Sequence, residues 1–267
     1  MAARYLFWGA ALAAALTVTL VAQQAPTGYH HASCVKVKPG RGSEFSAMVS
    51  GDLLKLAQNE INSGRLSGWV VLQAVVPAGS EAACDYVFAS FFPGLPPGPM
   101  SDAEETADLE KAGVGKTLPE FEDELRSNGY LANSSIAQEL TLVGGAKKGD
   151  YLVFNSMSVT NIDDWATTEE KLWKPFAEAR VKEGVQAGWA LNVQIFPRGA
   201  KVPSQVSSVD IYPTYADVFQ EGPEFMNTWN KVHPNLKFQD AMTQIDKLCT
   251  IDSSVLYKVV EDVHASQ

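Results

Sequence analysis

At 267 residues the chain has room for one large domain or two ordinary ones, and 46% hydrophobic against 19% charged residues describes a globular protein with a core. A formal net charge of −10 argues against nucleic acid and against docking to anionic lipid, because both need a basic face.

The first residues read as an export signal. Arg4 is followed by an uncharged run from Tyr5 to Ala22, and Ala22-Gln23-Gln24-Ala25 offers a small-residue cleavage region before Pro26. Residues 1–25 are therefore expected to be removed, leaving a periplasmic or secreted protein with no membrane attachment. An uncleaved anchor is the alternative, although the run falls short of the ~20 apolar residues that span a bilayer. Three cysteines, Cys34, Cys84 and Cys249, are too few for a disulfide scaffold, and no C-x-x-C pair suggests zinc or thiol redox chemistry.

Internal repetition organises the rest. Gly64-Arg65-Leu66-Ser67-Gly68-Trp69 returns as Gly184-Val185-Gln186-Ala187-Gly188-Trp189, and Pro77-Ala78-Gly79 as Pro197-Arg198-Gly199, both 120 residues on. Asn133-Ser134-Ser135-Ile136 is echoed by Asp252-Ser253-Ser254-Val255, and Asp85-Tyr86 by Asp210-Ile211-Tyr212 after a short insertion. Landmarks in one order at nearly one offset indicate two copies of a single unit.

In chain order, the first copy (27–144) predicts a strand over Tyr29–Val37 and a helix over Gly42–Asn62 with Phe45, Val49, Leu53, Leu56 and Ile61 on one face. Trp69–Val76 reads as a strand buried on both faces, Pro77–Ser80 as a hairpin turn, and Cys84–Phe92 as the returning strand. An acidic helical stretch over Asp102–Ser127 and a strand over Ile136–Val143 complete the unit. Within that stretch Ala112-Gly113-Val114-Gly115-Lys116-Thr117 imitates a phosphate loop. Glu110 stands where the motif needs glycine and no apolar strand precedes it, so the segment reads as a helix break. After a Gly144–Gly149 linker, the second copy (150–264) predicts strands at Tyr151–Val159, Trp189–Phe196, Val206–Tyr212 and Val255–Val263, with helical regions at Asp163–Glu183 and Pro223–Lys247.

A βαββαβ order predicts a ferredoxin-like sheet with both helices on one face, an α+β fold. The bare sheet face needs cover, and the second copy is the nearest available, so the copies are expected to pack sheet to sheet with helices outside. Cys34 and Cys84 then become neighbours on antiparallel strands and could form a disulfide in an exported protein, two free thiols being the alternative.

Val35-Lys36-Val37-Lys38-Pro39-Gly40, followed by Phe45 on a helix and then by the Gly68-Trp69 strand, resembles the dimeric α/β-barrel superfamily. That group includes antibiotic-biosynthesis monooxygenase-like, NIPSNAP-like and chlorite-dismutase-like proteins. The resemblance implies a barrel shared by two ferredoxin-like units, here a pseudo-dimer within one chain. It also implies that a small molecule or haem lies between the sheet and the helices of one unit; no subfamily's catalytic signature is matched.

Departures between the copies mark where a ligand is expected. Trp173 and Phe176 flank Pro175 inside a predicted helix, where a proline should kink the helix and open space, and Arg180 one turn on suits a carboxylate or anionic oxygen. Trp189 shares its strand face with Leu191 and Val193, whereas Asn192 and Gln194 point the other way, either hydrogen-bonding across the barrel or marking a polar cavity peculiar to this copy. His233, just before Pro234, is the best single histidine for a haem or other ligand, a capping histidine being the plainer reading. The expectation is an exported small-molecule-binding protein with its pocket in the second copy, built from Trp173, Phe176, Arg180, Trp189, Asn192 and His233. The alternatives are a cofactor-independent or haem-dependent oxygenase and a structural envelope module. No metal site is expected.

Overall fold

Eight strands form one closed antiparallel barrel: β1 (Gly28–Val37), β2 (Gly68–Val76), β3 (Tyr86–Phe92), β4 (Gly129–Gly144), β5 (Tyr151–Val159), β6 (Gly188–Phe196), β7 (Val206–Tyr212) and β8 (Cys249–His264). The structure, a computed structural model, describes residues 28–199, 202, 204–220 and 222–265, so the segment expected to be an export signal lies outside the described residues. Around the barrel the order is β1-β3-β2-β8-β5-β7-β6-β4, which places β4-β1-β3-β2 in the first half and β8-β5-β7-β6 in the second, the same order twice. The peptide bonds before Pro77 and Pro197 are both cis, so the matched turns also agree in backbone.

The halves do not simply lay one sheet on the other. Their edges join as hydrogen-bonded ladders, β2 with β8 and β4 with β6, so that no sheet edge is left open. Closure needs the chains to approach closely at the seams. Gly144 sits opposite Gly188, has φ +66°, and a Cβ there would lie 2.1 Å from the Ala187 carbonyl oxygen.

Two strands are longer than their apolar runs suggest. β4 begins at Gly129 and β8 at Cys249, taking in the polar Asn133–Ser135 and Asp252–Ser254 segments, because β1 and β5 pair their backbones throughout. The helices cover the outer surface. In the first half, α1 (Gly42–Met48), a π-helical turn (Val49–Leu53) and α2 (Leu54–Asn62) bury Phe45, Val49 and Ile61 against Trp69, Val71 and Tyr86. The acidic stretch is two helices, α3 (Asp102–Ala112) and α4 (Leu118–Asn128), broken where the false phosphate loop lies. Gly113 ends α3 in the left-handed conformation and Thr117 opens α4 with a capping box. Lys116 is held by Asp52 and Glu124.

In the second half α5 (Ile162–Glu183) runs unbroken through Pro175. The last helical region divides into α6 (Pro223–Val232) and α7 (Phe238–Ile245), since a residue before proline is pushed out of helical geometry and His233 precedes Pro234. Cys34 and Cys84 are joined in a disulfide, and Cys249 is free.

One matched landmark needs correction. The ladders place Ser90 opposite Trp69 and Asp210 opposite Trp189, so the counterpart of Asp210 is Ser90. Asp85 instead precedes β3, where it accepts hydrogen bonds from Lys36 Nζ and the Val37 amide, each at 2.8 Å.

The seam predicts a sharp contrast between adjacent glycines. Gly144→Ala should destabilise the chain by at least roughly 1–3 kcal/mol, the cost of a strained backbone, with the clash added. Gly145→Ala, with nothing within 4 Å of the new carbon, should stay within about 0.5 kcal/mol. Urea midpoints of the two variants measure the difference.

Candidate functional site

A pocket of about 480 Å³ lies between α5, α7 and the outer face of the second half's sheet. Trp173 and Glu169 come to it from α5, Met242 and Ile245 from α7, Trp189 from β6, and Ser208 and Asp210 from β7; Asn155, Met157, Asp246, Cys249, Thr250 and Ile251 complete the wall. The first half shows why space exists here. By ladder position Ser208 replaces Phe88 and Asp210 replaces Ser90, and at the 120-residue offset Glu169 replaces the buried Val49. Where the first half fills its helix–sheet layer with Phe88 and Val49, the second substitutes a hydroxyl and a carboxyl.

Two acids define the electrostatics. Glu169 lies on the inward stripe of α5 that also carries Trp165, Leu172 and Phe176, and it is buried. Burial, with the charge of Asp210 added, raises its pKa from 4.5 to about 8, so it is mostly protonated at neutral pH. The indole N–H of Trp165 offsets this only weakly and makes no hydrogen bond of ordinary geometry. Asp210 is pushed up to about 6 by burial. Hydrogen bonds from Gln186 Nε2 at 3.3 Å and Asn155 Nδ2 at 3.4 Å, together with the charge of Arg180, limit the rise. What surface Asp210 retains, it turns to the pocket. Burial chiefly, then Glu169 and Asp246, lift the Cys249 thiol to about 11, leaving it a neutral thiol and a poor nucleophile.

Of the residues singled out from sequence, Trp173 and Trp189 line this pocket. Phe176 and Arg180 are buried beside it, the Arg180 guanidinium lying 5.7 Å from the Phe176 ring and 5.3 Å from that of Phe225. An anion bound at Arg180 was the expectation; the pocket instead presents carboxyls, and the guanidinium is spent on aromatic faces and on Asp210. Asn192 faces the barrel interior, where its Nδ2 donates to Ser207 Oγ at 3.4 Å rather than across the barrel, and Gln194 donates to the Pro197 carbonyl. His233 caps α6; its Nε2–H donates to the Leu172 carbonyl at 2.8 Å and its ring packs on Trp229.

These placements bear on haem. The pocket contains no histidine, the ring nitrogen of His233 that could face α5 is engaged by a backbone carbonyl, and Cys249 is a protonated thiol. The donor set does not fit an axial iron ligand. Among the described residues no group of three or more His, Cys, Asp or Glu could hold a metal ion.

The chain is thus an eight-stranded closed antiparallel barrel with outer helices and a helix-covered pocket. No family model matches the sequence, and no curated protein matches it. Among solved structures the fold is similar to a candidate monooxygenase from Fusobacterium nucleatum, with TM-score 0.51 and 10% identity over 90% of this chain and 95% of that one. It is also similar to an anthrone oxidase-like protein (TM-score 0.47, 13% identity, 92% and 96% covered). A haem-binding protein from Thermus thermophilus stands at a comparable distance (0.47, 12%, 88% and 92%). At such identities the likeness is one of fold alone.

The carboxyl pair predicts a pH dependence of stability. A folded chain that keeps Glu169 protonated up to about pH 8 holds a proton the unfolded chain releases near 4.5, so stability falls as pH rises through that window. Asp210 adds a fall between 3.8 and about 6, while His30, whose pKa burial and then His31 lower to about 4, makes stability rise with pH below about 6.5. Between about pH 6.5 and 8 Glu169 therefore dominates. The urea midpoint should drop across that interval and Glu169→Gln should flatten the drop; a flat wild-type profile would mean that Glu169 ionises normally.

Proposed function

We propose that the chain is an exported, duplicated ferredoxin-like protein that binds a small, mostly apolar molecule in the pocket between α5, α7 and the second sheet. The observation that carries this reading is the replacement of Phe88 and Val49 by Ser208 and Glu169 at matched positions, which exchanges filled core for a polar-walled cavity. Burying a carboxyl without a strong partner costs several kcal/mol on a stability account, and such exceptions concentrate at working sites. A pocket of this volume, apolar on one side with a few convergent polar groups, is of the size that holds small ligands. The Cys34–Cys84 disulfide supports an oxidising compartment, as export would require.

The pair also sets the ligand's chemistry. A protonated Glu169 beside a largely ionised Asp210 disfavours an anion and favours a neutral molecule that donates a hydrogen bond to Asp210, such as a hydroxylated aromatic. A second reading follows from the same two groups. Carboxyls whose pKa values are driven to either side of neutrality suit general acid–base work, so Asp210 could take the proton of a bound hydroxyl while Glu169 holds one to return. In a cofactor-independent oxygenase that step would precede attack by dioxygen; the fold of the Fusobacterium nucleatum neighbour is in keeping with this reading.

Filling the pocket tests both. Ser208→Phe restores the first half's residue and should abolish the quenching of Trp173 and Trp189 fluorescence by neutral hydroxylated aromatics at this pocket, while melting stays cooperative. Unchanged quenching in a folded Ser208→Phe protein would move the ligand elsewhere. The absorbance spectrum of the purified wild-type protein should show no Soret band.

A further inference from the structure

The barrel's interior is hollow, and this follows from how side-chain size is divided between its two faces. Large residues point outward to the helices: Trp69, Val71 and Phe88 in the first half, Trp189 and Leu191 in the second. The inward positions at matching heights hold Ala32, Ala89, Ala137, Ala190, Ser135 and Ser207. Eight strands enclose a space that large side chains can just fill, or that small ones leave open for one ligand. Here an apolar cluster that includes Leu72, Leu152, Ile211 and Tyr257 takes one wall, and a cavity of about 550 Å³ remains. Protein interiors otherwise close-pack with few voids larger than a water molecule.

One polar side chain in this lumen is left without a partner. His30 lines it from β1, its ring tilted against Phe91 at 5.3 Å, and its Nδ1 is buried with no hydrogen bond. Burial keeps the imidazole neutral at physiological pH, so each ring can offer one donor and one acceptor. An unsatisfied buried nitrogen opposes folding, and a ligand supplying the missing hydrogen bond would recover that loss.

The geometry points to the lumen as a second ligand site, separate from the helix–sheet pocket, for a small, predominantly apolar molecule carrying one hydroxyl or carbonyl that His30 engages. Opposite faces of one sheet separate the two sites. Asn192 and Ser207 face the lumen, whereas Trp189, Ser208 and Asp210 face the helices, so each can be altered without occupying the other.

Two probes suffice, 1-naphthol and naphthalene, added to the full chain carrying Ser208→Phe, which fills the helix–sheet pocket and leaves the lumen open, and followed by fluorescence titration. That chain should bind 1-naphthol more tightly than naphthalene, and His30→Phe added to it should erase that preference while leaving naphthalene binding intact. Ala89→Leu added instead, which fills the lumen, should weaken both by about tenfold or more. Independently of any variant, ¹⁵N-histidine NMR of the wild-type chain should show 1-naphthol shifting the His30 ring nitrogens and leaving those of His233 in place. Unmoved His30 signals at saturating 1-naphthol, no binding at all, or full affinity in a folded Ala89→Leu protein would each overturn the proposal. Loss of binding in Ser208→Phe alone would assign the probe to the helix–sheet pocket, which also overturns it.

Discussion

The β2·β8 and β4·β6 ladders are the constraint from which the rest of the molecule follows. A four-stranded sheet with helices on one face leaves its other face and two edges unsatisfied, and hydrogen bonding the edges of two such sheets disposes of both problems together. Once the edges are joined, the inner faces need interdigitate only in part. Val70 and Leu72 of the first half pack across the barrel on Leu152, Ile211 and Tyr257 of the second, and elsewhere the ladders hold the halves in register and alanine and serine are tolerated. The burden of hydrophobic stabilisation passes to the outer layer, where tryptophan, phenylalanine and leucine meet the helices.

Duplication then supplies an internal control for reading function. The two outer layers share an element order, so any position at which one is apolar and the other polar has been changed against the demands of packing. Glu169 is such a position, set on a helical stripe between Trp165 and Leu172 where the first half has Val49, and Ser208 is another, standing where the first half has Phe88; Asp210, directly beside Trp189, turns the hydroxyl of Ser90 into a carboxyl. Among the described residues neither acid forms an ion pair with a lysine or a bidentate arginine. Burial and then the charge of Asp210 govern Glu169, whereas burial governs Asp210 against the hydrogen bonds of Gln186 and Asn155 and the charge of Arg180.

Most of the architecture was legible because the chain states it twice. Element order and the hairpin turns follow from landmarks 120 residues apart. Barrel closure was implied only by the family resemblance, because a strand that is apolar on both faces reads the same whether its neighbour lies over it or beside it. The polar starts of β4 and β8 were missed for a related reason: Asn133–Ser135 and Asp252–Ser254 resemble turns until β1 and β5 are known to pair with them. At the site, Trp173 and Trp189 stood out as aromatic residues, whereas Glu169 was hidden beside Glu170 in a helix that looks solvated. The signal that would have found it is its spacing, four residues after Trp165 and three before Leu172. Asp210 was concealed by matching it to Asp85, a residue that serves a hairpin and not a pocket.

The placement of Arg180 shows why residue type alone is a weak guide to a ligand. An arginine near an apolar pocket suggests an anion, yet a guanidinium is weakly hydrated enough to lie between aromatic rings, and here Phe176 and Phe225 receive it. Its charge reaches the site only through Asp210, whose carboxylate it favours. That indirect effect has a chemical consequence. Together with the hydrogen bonds from Gln186 and Asn155 it limits the rise of the Asp210 pKa, so one acid is held near ionisation while the other stays neutral. The second half thus separates two identical functional groups into a donor and an acceptor by environment, a division the first half, with Val49 and Ser90 at those places, has no means to make.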